Sequence, residues 1–210
     1  MTSAVDAVPT PRSRLFRAIV KPGNVLPALV WFFLIANQAV NSSFPPSTAT
    51  IGLVLINSVA MALFIVRRDP SRVGGKMEGA IALAGTFSVS FLRDAGQLHD
   101  AQLLPTAIQA IGLIGWAASL MALGRSFGVV PADRGLVRHG PYRYLRHPIY
   151  AFEAIFFSGY LVAVPTLRSA IIIAVWAALQ LVRIVREERI IAGYDEYKLT
   201  VRWRVLPGVW

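Results

Sequence analysis

The chain has 210 residues, of which 55% are hydrophobic, 15% are charged and none is cysteine. Soluble domains carry about 25% charge, and the apolar residues here gather into blocks of membrane-spanning length, which excludes an ordinary soluble domain. Without cysteine there are no disulfides or thiolate metal ligands, and a net charge of +10 signals nucleic acid only on a soluble basic face, which the loop pattern below argues against.

Residues 1–23 read as a cytoplasmic tail. The opening MTSAVDAVPTPRSRLFRAIVK is basic, but it holds Pro9 and Pro11 and has no compact signal-peptide core. Within it, Leu15–Val20 is expected to form a short amphipathic turn in the membrane interface. Apolar runs then predict spans at Asn24–Val40, Ala49–Val66, Met77–Leu92, Leu104–Leu123, Ile149–Val164 and Ser169–Val182. The last two are short and joined only by VPTLRS, so they read as a helical hairpin that does not fully cross.

Loop charge alternates. The tail carries Arg12, Arg14, Arg17 and Lys21, and the next loop, NSSFPPSTA, is uncharged. RRDPSRVGGK is strongly basic, RDAGQLHDAQ slightly acidic, and residues 124–148 hold five Arg against Asp133. The positive-inside rule therefore places both termini and the second and fourth loops in the cytoplasm. The basic excess is mostly topological and favours anionic lipid at the inner leaflet. The expected fold class is an all-α integral membrane protein with five to six transmembrane helices. Four helices fill residues 24–123, and residues 124–210 add the hairpin and a cytoplasmic pocket formed by loop 124–148 and the C-terminal tail.

Two polar clusters converge on that cytoplasmic side. In GPYRYLRHPIY, residues 140–150, Gly140-Pro141 is a turn signal. Pro148 suits the first turn of the next helix. His147 then stands at a helix N-terminus whose free N–H groups and dipole favour an anion. Taken alone, the Arg and Tyr residues of this stretch read as a juxtamembrane anchor. The second cluster, LVRIVREERIIAGYDEY, changes that reading, because Arg183, Glu187 and Glu188 at the end of a span suggest function. Arg183 and Glu187 are i,i+4 neighbours able to pair, and Glu188 could accept hydrogen bonds from ribose hydroxyls or an ammonium group.

The string SFGVVPADRGLVRHGPYRYLRHPIYAFE, then REER, Tyr197 and the closing VRWRVLPGVW, resembles the isoprenylcysteine carboxyl methyltransferase family of membrane enzymes. It is also similar to the related phospholipid N-methyltransferases. The resemblance covers the chain from Ser126 onward, and the N-terminal spans match only in being apolar. It implies an S-adenosylmethionine-dependent enzyme with the methyl donor bound on the cytosolic side. By position, His147 and Pro148 would bind the methionine part with Tyr150 nearby, and Glu187 and Glu188 its amino or ribose groups. Tyr142 and the backbone of Gly140 would shape the adenine side. Arg183 and Glu187 match the catalytic positions near the reacting groups. Phe152 stands where the family often has Gly and is expected to narrow the cofactor pocket or lipid tunnel. The short tail suggests a compact bacterial-type member in an inner membrane.

The expected reaction is methylation of a lipophilic or prenylated acceptor, a carboxylate first and a phospholipid amine as the alternative. A carboxylate nucleophile needs no general base, whereas an ammonium must first lose a proton, with Glu187 or Glu188 as acceptor. An NADPH-dependent membrane lipid reductase shares a similar C-terminal layout, but usually has Asn in place of the His-Pro step. A non-catalytic lipid-binding scaffold is the third reading. Asp94, His99, Asp100 and Asp133 read as loop residues. His99 and Asp100 lack further ligand-type neighbours, so no metal site is expected. Asn37, Gln38, Asn57, Gln109 and Gln180 are expected to make interhelical hydrogen bonds, and Trp116 and Trp176 to pack.

Overall fold

The computed structural model describes residues 22–42, 44, 46–92 and 103–210. The expected interfacial turn at 15–20 and the loop with Asp94, His99 and Asp100 lie outside these residues. Helix α1 is Pro22–Asn41 and α2 is Thr48–Val66. A two-residue strand, β1 (Arg72–Val73), precedes α3 (Lys76–Ser88), and α4 is Leu103–Leu123. Strand β2 (Ala132–Asp133) and a 3-10 turn at Gly140–Arg143 lead to α5 (Pro148–Ala163), α6 (Leu167–Ile190) and α7 (Tyr194–Thr200).

Local chemistry sets the helix ends. Ser47 and Thr166 cap α2 and α6, their side chains accepting from the N–H of Thr50 and Ser169 (both 3.1 Å). Pro148 opens α5, where its missing N–H costs nothing. Among the described residues, two helices are long and apolar enough to cross a membrane, Leu103–Ser126 and Leu167–Ile190, and Asn24–Val40, Thr50–Val66 and Pro148–Ala163 are shorter apolar helices. Leu26, Phe33, Ile114 and Ile171 point outward and exposed, the arrangement lipid would cover.

One expectation is corrected here. The sixth apolar run is not a short hairpin arm ending at Val182, because α6 continues for 24 residues to Ile190. The charges that seemed to end the span are instead paired along α6 and with α3. Arg183 pairs with Glu187 (3.5 Å), and Arg186 pairs with Glu78 of α3 (2.5 Å).

Close helix approach fixes the scaffold. A Cβ on Gly112 of α4 would stand 2.6 Å from the backbone nitrogen of Phe156 on α5, and one on Gly159 would stand 2.9 Å from Cγ of Gln109. Small residues of this kind let two helix backbones touch. Phe152 packs over Gly115, where an added Cβ would meet its ring at 2.1 Å. Phe152 therefore faces α4 and does not border the cavity described below, contrary to the expectation that it narrows the pocket. Gly112→Ala should lower stability by about 1–3 kcal/mol, since backbone cannot yield as a side chain does. Gly79→Ala, whose Cβ would lie 3.8 Å from Val130 Cγ1, should be neutral. Thermal unfolding of both variants in detergent checks the contrast.

Aromatic packing fills the interior. Trp31 and Phe64 stand 5.3 Å apart by ring centroid, Phe64 and Phe127 5.2 Å, and Phe157 and Trp176 4.8 Å. Trp116 lies against Phe156 (6.4 Å), so both tryptophans pack as expected. Asn57 donates to Gln38 across α1 and α2 (3.3 Å). Gln109 is buried, with its Nε2 unpartnered among the described residues.

Candidate active site

The site lies at the end of the bundle where α5 begins and α6 ends. The chain reaches α5 through the 3-10 turn, entered at Gly140 with φ +58°, a conformation that suits glycine. Residues 145–147 are then clamped by the tail. Leu145 bridges Trp203, and the N–H groups of Arg146 and His147 donate to the carbonyls of Trp203 and Arg204 (both 2.9 Å). His147 becomes the N-cap of α5, but its side chain makes no cap hydrogen bond. The free N–H groups of the first turn are thus left without a side-chain partner.

Facing positions on α5 and α6 build a ladder of polar rungs, because i,i+3 and i,i+4 spacing keeps residues on one helix face. On the first rung, His147 Nε2 lies 3.3 Å from Glu188 Oε1 and 3.0 Å from the Tyr194 hydroxyl. On the second, the Tyr150 hydroxyl donates to Glu187 Oε1 at 2.6 Å. On the third, one turn deeper, Gln180 Nε2 donates to Glu153 Oε2 at 3.3 Å.

Arg183 ties the second and third rungs. Its NH1 donates to Gln180 Oε1 (3.1 Å) and Thr86 Oγ1 (3.4 Å), and its NH2 donates to the Val129 carbonyl (2.9 Å) and Glu187 Oε1 (3.5 Å). The guanidinium also stacks 5.2 Å over the Tyr150 ring. Only its Nε has no partner.

Glu188 has a different environment from Glu187. Arg204 holds both of its oxygens at 3.0 Å, Arg146 reaches Oε1 at 3.1 Å, and Tyr194 reaches it at 3.5 Å. These charge-assisted bonds leave little capacity for a ligand. The hydrogen bond to Glu188 raises the Arg204 guanidinium further above its usual range. Burial and then Glu188 push the Tyr194 phenol well up, so it keeps its proton as a donor. Tyr197 donates to the Tyr142 carbonyl at 2.6 Å and is pushed up to about 12 by burial.

A cavity of about 490 Å³ runs along the ladder into the bundle, within the size range of nucleoside-type ligand pockets. Tyr142, His147, Tyr150, Arg183 and Glu187 border it, whereas Gly140, Pro148 and Glu188 stand behind its wall. Deeper, Trp116, Phe156 and Trp176 line it. The structure thus brings both sequence clusters together but divides them between lining and support. Sequence reasoning missed three residues here, Glu153, Tyr194 and Arg204, and read Arg146 only as added positive charge. Glu153 carried a readable signal, a carboxylate in an apolar helix at i+3 from Tyr150.

Asp133 also exceeds its expected part as a loop residue. It is buried and joins β1, β2 and the end of α6. The Ser71 hydroxyl donates to it at 3.0 Å, and the N–H groups of Gly135 and Ala192 at 3.1 and 3.3 Å. Burial alone would raise this carboxyl, but those donors and Arg72 hold it below the usual carboxylate value. A depressed folded-state value stabilises the fold above the unfolded pKa of about 3.9, and that contribution is lost as pH falls through the folded value. Asp133→Asn should lower stability by about 1–2 kcal/mol at neutral pH and flatten the acid limb of the unfolding temperature. Unfolding scans from neutral to acid pH check it.

The model of the phospholipid methyltransferase family matches residues 103–194, from the start of α4 through the whole polar ladder. This chain is a membrane methyltransferase dependent on S-adenosylmethionine. No curated protein matches it. The match to the methyltransferase spans every cavity-lining residue of α5 and α6 named above, so the family pattern and the ladder coincide in the chain. S-adenosylmethionine fits the donor set present. The uncapped first turn of α5 suits a carboxylate, and Glu187 Oε2 lies 3.9 Å from His147 Nδ1, open to an ammonium donor.

Proposed function

We propose that the chain transfers a methyl group from S-adenosylmethionine, held at the cytoplasmic membrane face, to a lipophilic acceptor arriving from the bilayer. The observation that carries this reading is that the first turn of α5, without a side-chain cap, and Glu187 border the same cavity. A zwitterionic amino-acid end fits that pair, its carboxylate on the free N–H groups after His147 and Pro148 and its ammonium on Glu187 Oε2. Tyr142 would border the adenine, and Tyr150 holds Glu187 in place. Gly140 and Pro148 set the backbone, and Glu188 locks the tail over the site. The basic loops put this end and both termini in the cytoplasm, with five to six helices crossing a bacterial inner membrane.

The bound donor supplies a methyl group already activated on a sulfonium. The protein's contribution is alignment and exclusion of water. Trp116, Phe156 and Trp176 wall the deeper cavity with apolar surface where an acceptor chain would lie.

The C-terminal RHP and WRVLPG motifs favour an isoprenylcysteine-type carboxylate acceptor, held by Arg183. Two observations favour a phospholipid-type amine instead. Four of the five Arg183 N–H groups are already committed to Val129, Gln180, Thr86 and Glu187. The cavity also carries the carboxylates of Glu153 and Glu187, which repel an anion and attract an ammonium. Incubation of the purified chain with methyl-labelled S-adenosylmethionine and host lipid extract tests this reading. Label in N-methylated aminolipid is expected. Label released as a base-labile methyl ester would favour the carboxylate, and no lipid label would sink the proposal.

A further inference from the structure

Glu153 is the acidic side chain that neither the sequence motifs nor the cofactor pocket accounts for. It borders the cavity on the third rung, one helical turn deeper than Tyr150, roughly 4.5 Å further along the α5 axis. Three other carboxylates near it are held by charged groups: Glu187 by Arg183, Glu188 by Arg146 and Arg204, and Glu78 by Arg186. Glu153 forms no ion pair with a described residue, and its hydrogen bond comes from the neutral Gln180 amide (3.3 Å). Gln180 is fixed in turn by Arg183, which donates to its Oε1 at 3.1 Å. The amide orientation is thereby set, and it presents one donor to Glu153. The charged and titratable groups that face Glu153 are Arg183 and Glu187 of α6, Tyr150 of its own helix and Tyr142 of the preceding turn. An intramembrane carboxylate with neutral support, aimed into a cavity, is costly unless a ligand uses it.

We propose that Glu153 is the proton acceptor of the reaction, positioned on the bilayer side of the methyl donor to take a proton from an ammonium nucleophile. This rests on the amine reading above. The step balances as follows: one N–H proton passes to the Glu153 carboxylate and frees the nitrogen lone pair. That pair forms the new N–CH3 bond as the S–CH3 bond breaks, and the bonding electrons go to sulfur. The product leaves as a methylated ammonium, and Glu153 returns its proton to water through the cavity. Neither Glu187 nor Glu188 is as free for this, since Tyr150, Arg183, Arg146 and Arg204 already occupy them.

The test uses the full chain in nanodiscs with methyl-labelled S-adenosylmethionine. The probes are dodecylamine and dodecanoate, which share one chain length. Glu153→Gln keeps the shape and the Gln180 contact but cannot accept the proton. It should lose about 100-fold or more in kcat for dodecylamine, keep its affinity for S-adenosylmethionine within about threefold, and bind dodecylamine about tenfold more weakly in the absence of the donor. The acidic limb of the wild-type kcat–pH profile should vanish in Glu153→Gln and return in Glu153→Asp, which also decides the matter if the Gln variant fails to fold. Near-normal turnover by Glu153→Gln, or turnover by the wild type of dodecanoate only or of neither probe while the donor still binds, would overturn the proposal. A wild-type chain that binds no S-adenosylmethionine would instead contradict the proposed function itself.

Discussion

Arg183→Ala is expected to reduce turnover by about 10³-fold while the protein still folds. Arg183 is 6% exposed, and its guanidinium fixes three groups at once. It holds the Val129 carbonyl of the loop after α4, the Gln180 amide that supports Glu153, and the Glu187 carboxylate proposed to receive the donor's ammonium. Deleting it leaves Glu187 with the Tyr150 hydroxyl and the more distant His147 Nδ1 (3.9 Å), so the carboxylate is freer to swing out of register. Loss of one preorganised charged group at a reacting centre typically costs 10²–10³ in rate, and here two further rungs loosen with it. Glu187→Ala should fall nearly as far. The two losses should be far from additive in the double variant, because both residues serve one arrangement. Arg183→Lys should not rescue, since one ammonium cannot reach four acceptors in a plane. Label transfer with circular dichroism of each variant reads the result, and near-normal activity in both single variants would remove the site assignment.

The second large effect is on stability and falls at Glu188. Its side chain is 10% exposed and receives Arg146, Arg204, His147 and Tyr194. Glu188→Ala leaves two buried or half-buried guanidinium groups without their counter-charge, and breaking such a network by removing one member costs about 3–5 kcal/mol. The tail is otherwise held by the backbone bonds to Arg146 and His147, by Arg146 Nη2 on the Arg202 carbonyl (3.3 Å) and by Val201 packed on Tyr194 and Tyr197. Residues 202–210 should therefore loosen and become more open to proteolysis. Weaker binding of S-adenosylmethionine should follow from loss of the tail, with no group on Glu188 itself touching the donor. Glu188→Gln should recover only part, because it restores shape without charge. Limited proteolysis followed by mass analysis of the C-terminal fragment checks the first effect, and calorimetry the second.

How much of this was readable beforehand differs by element. Hydropathy alone located α1, α2, α4 and α5 to within two residues, because lipid demands long uninterrupted apolar faces, whereas the third run, read to Leu92, overran the end of α3 at Ser88. The length of α6 was not legible. Arg183, Arg186, Glu187 and Glu188 look like the end of a span until their partners on α3, α5 and the tail are known, and those partners are distant in sequence. The N-cap position of His147 followed from Pro148, whose ring permits little else. The division between Glu187, which borders the cavity, and Glu188, which does not, could not be read from adjacent letters. Adjacent positions on a helix point about 100° apart, and only packing decides which one faces inward. Phe152 shows the same limit, since its contact with Gly115 is a property of the α4–α5 approach. The β1–β2 pair, Arg72 opposite Asp133, joins two-residue strands with no periodic signal at all.

Calorimetric titration of the detergent-solubilised chain with S-adenosylmethionine, and separately with NADPH, tests the central claim most directly. One S-adenosylmethionine site is expected, weakened in Glu187→Ala, with no binding of NADPH. Binding of NADPH in its place would assign the cavity to a reductase, and binding of neither would reduce the ladder between α5 and α6 to a structural support.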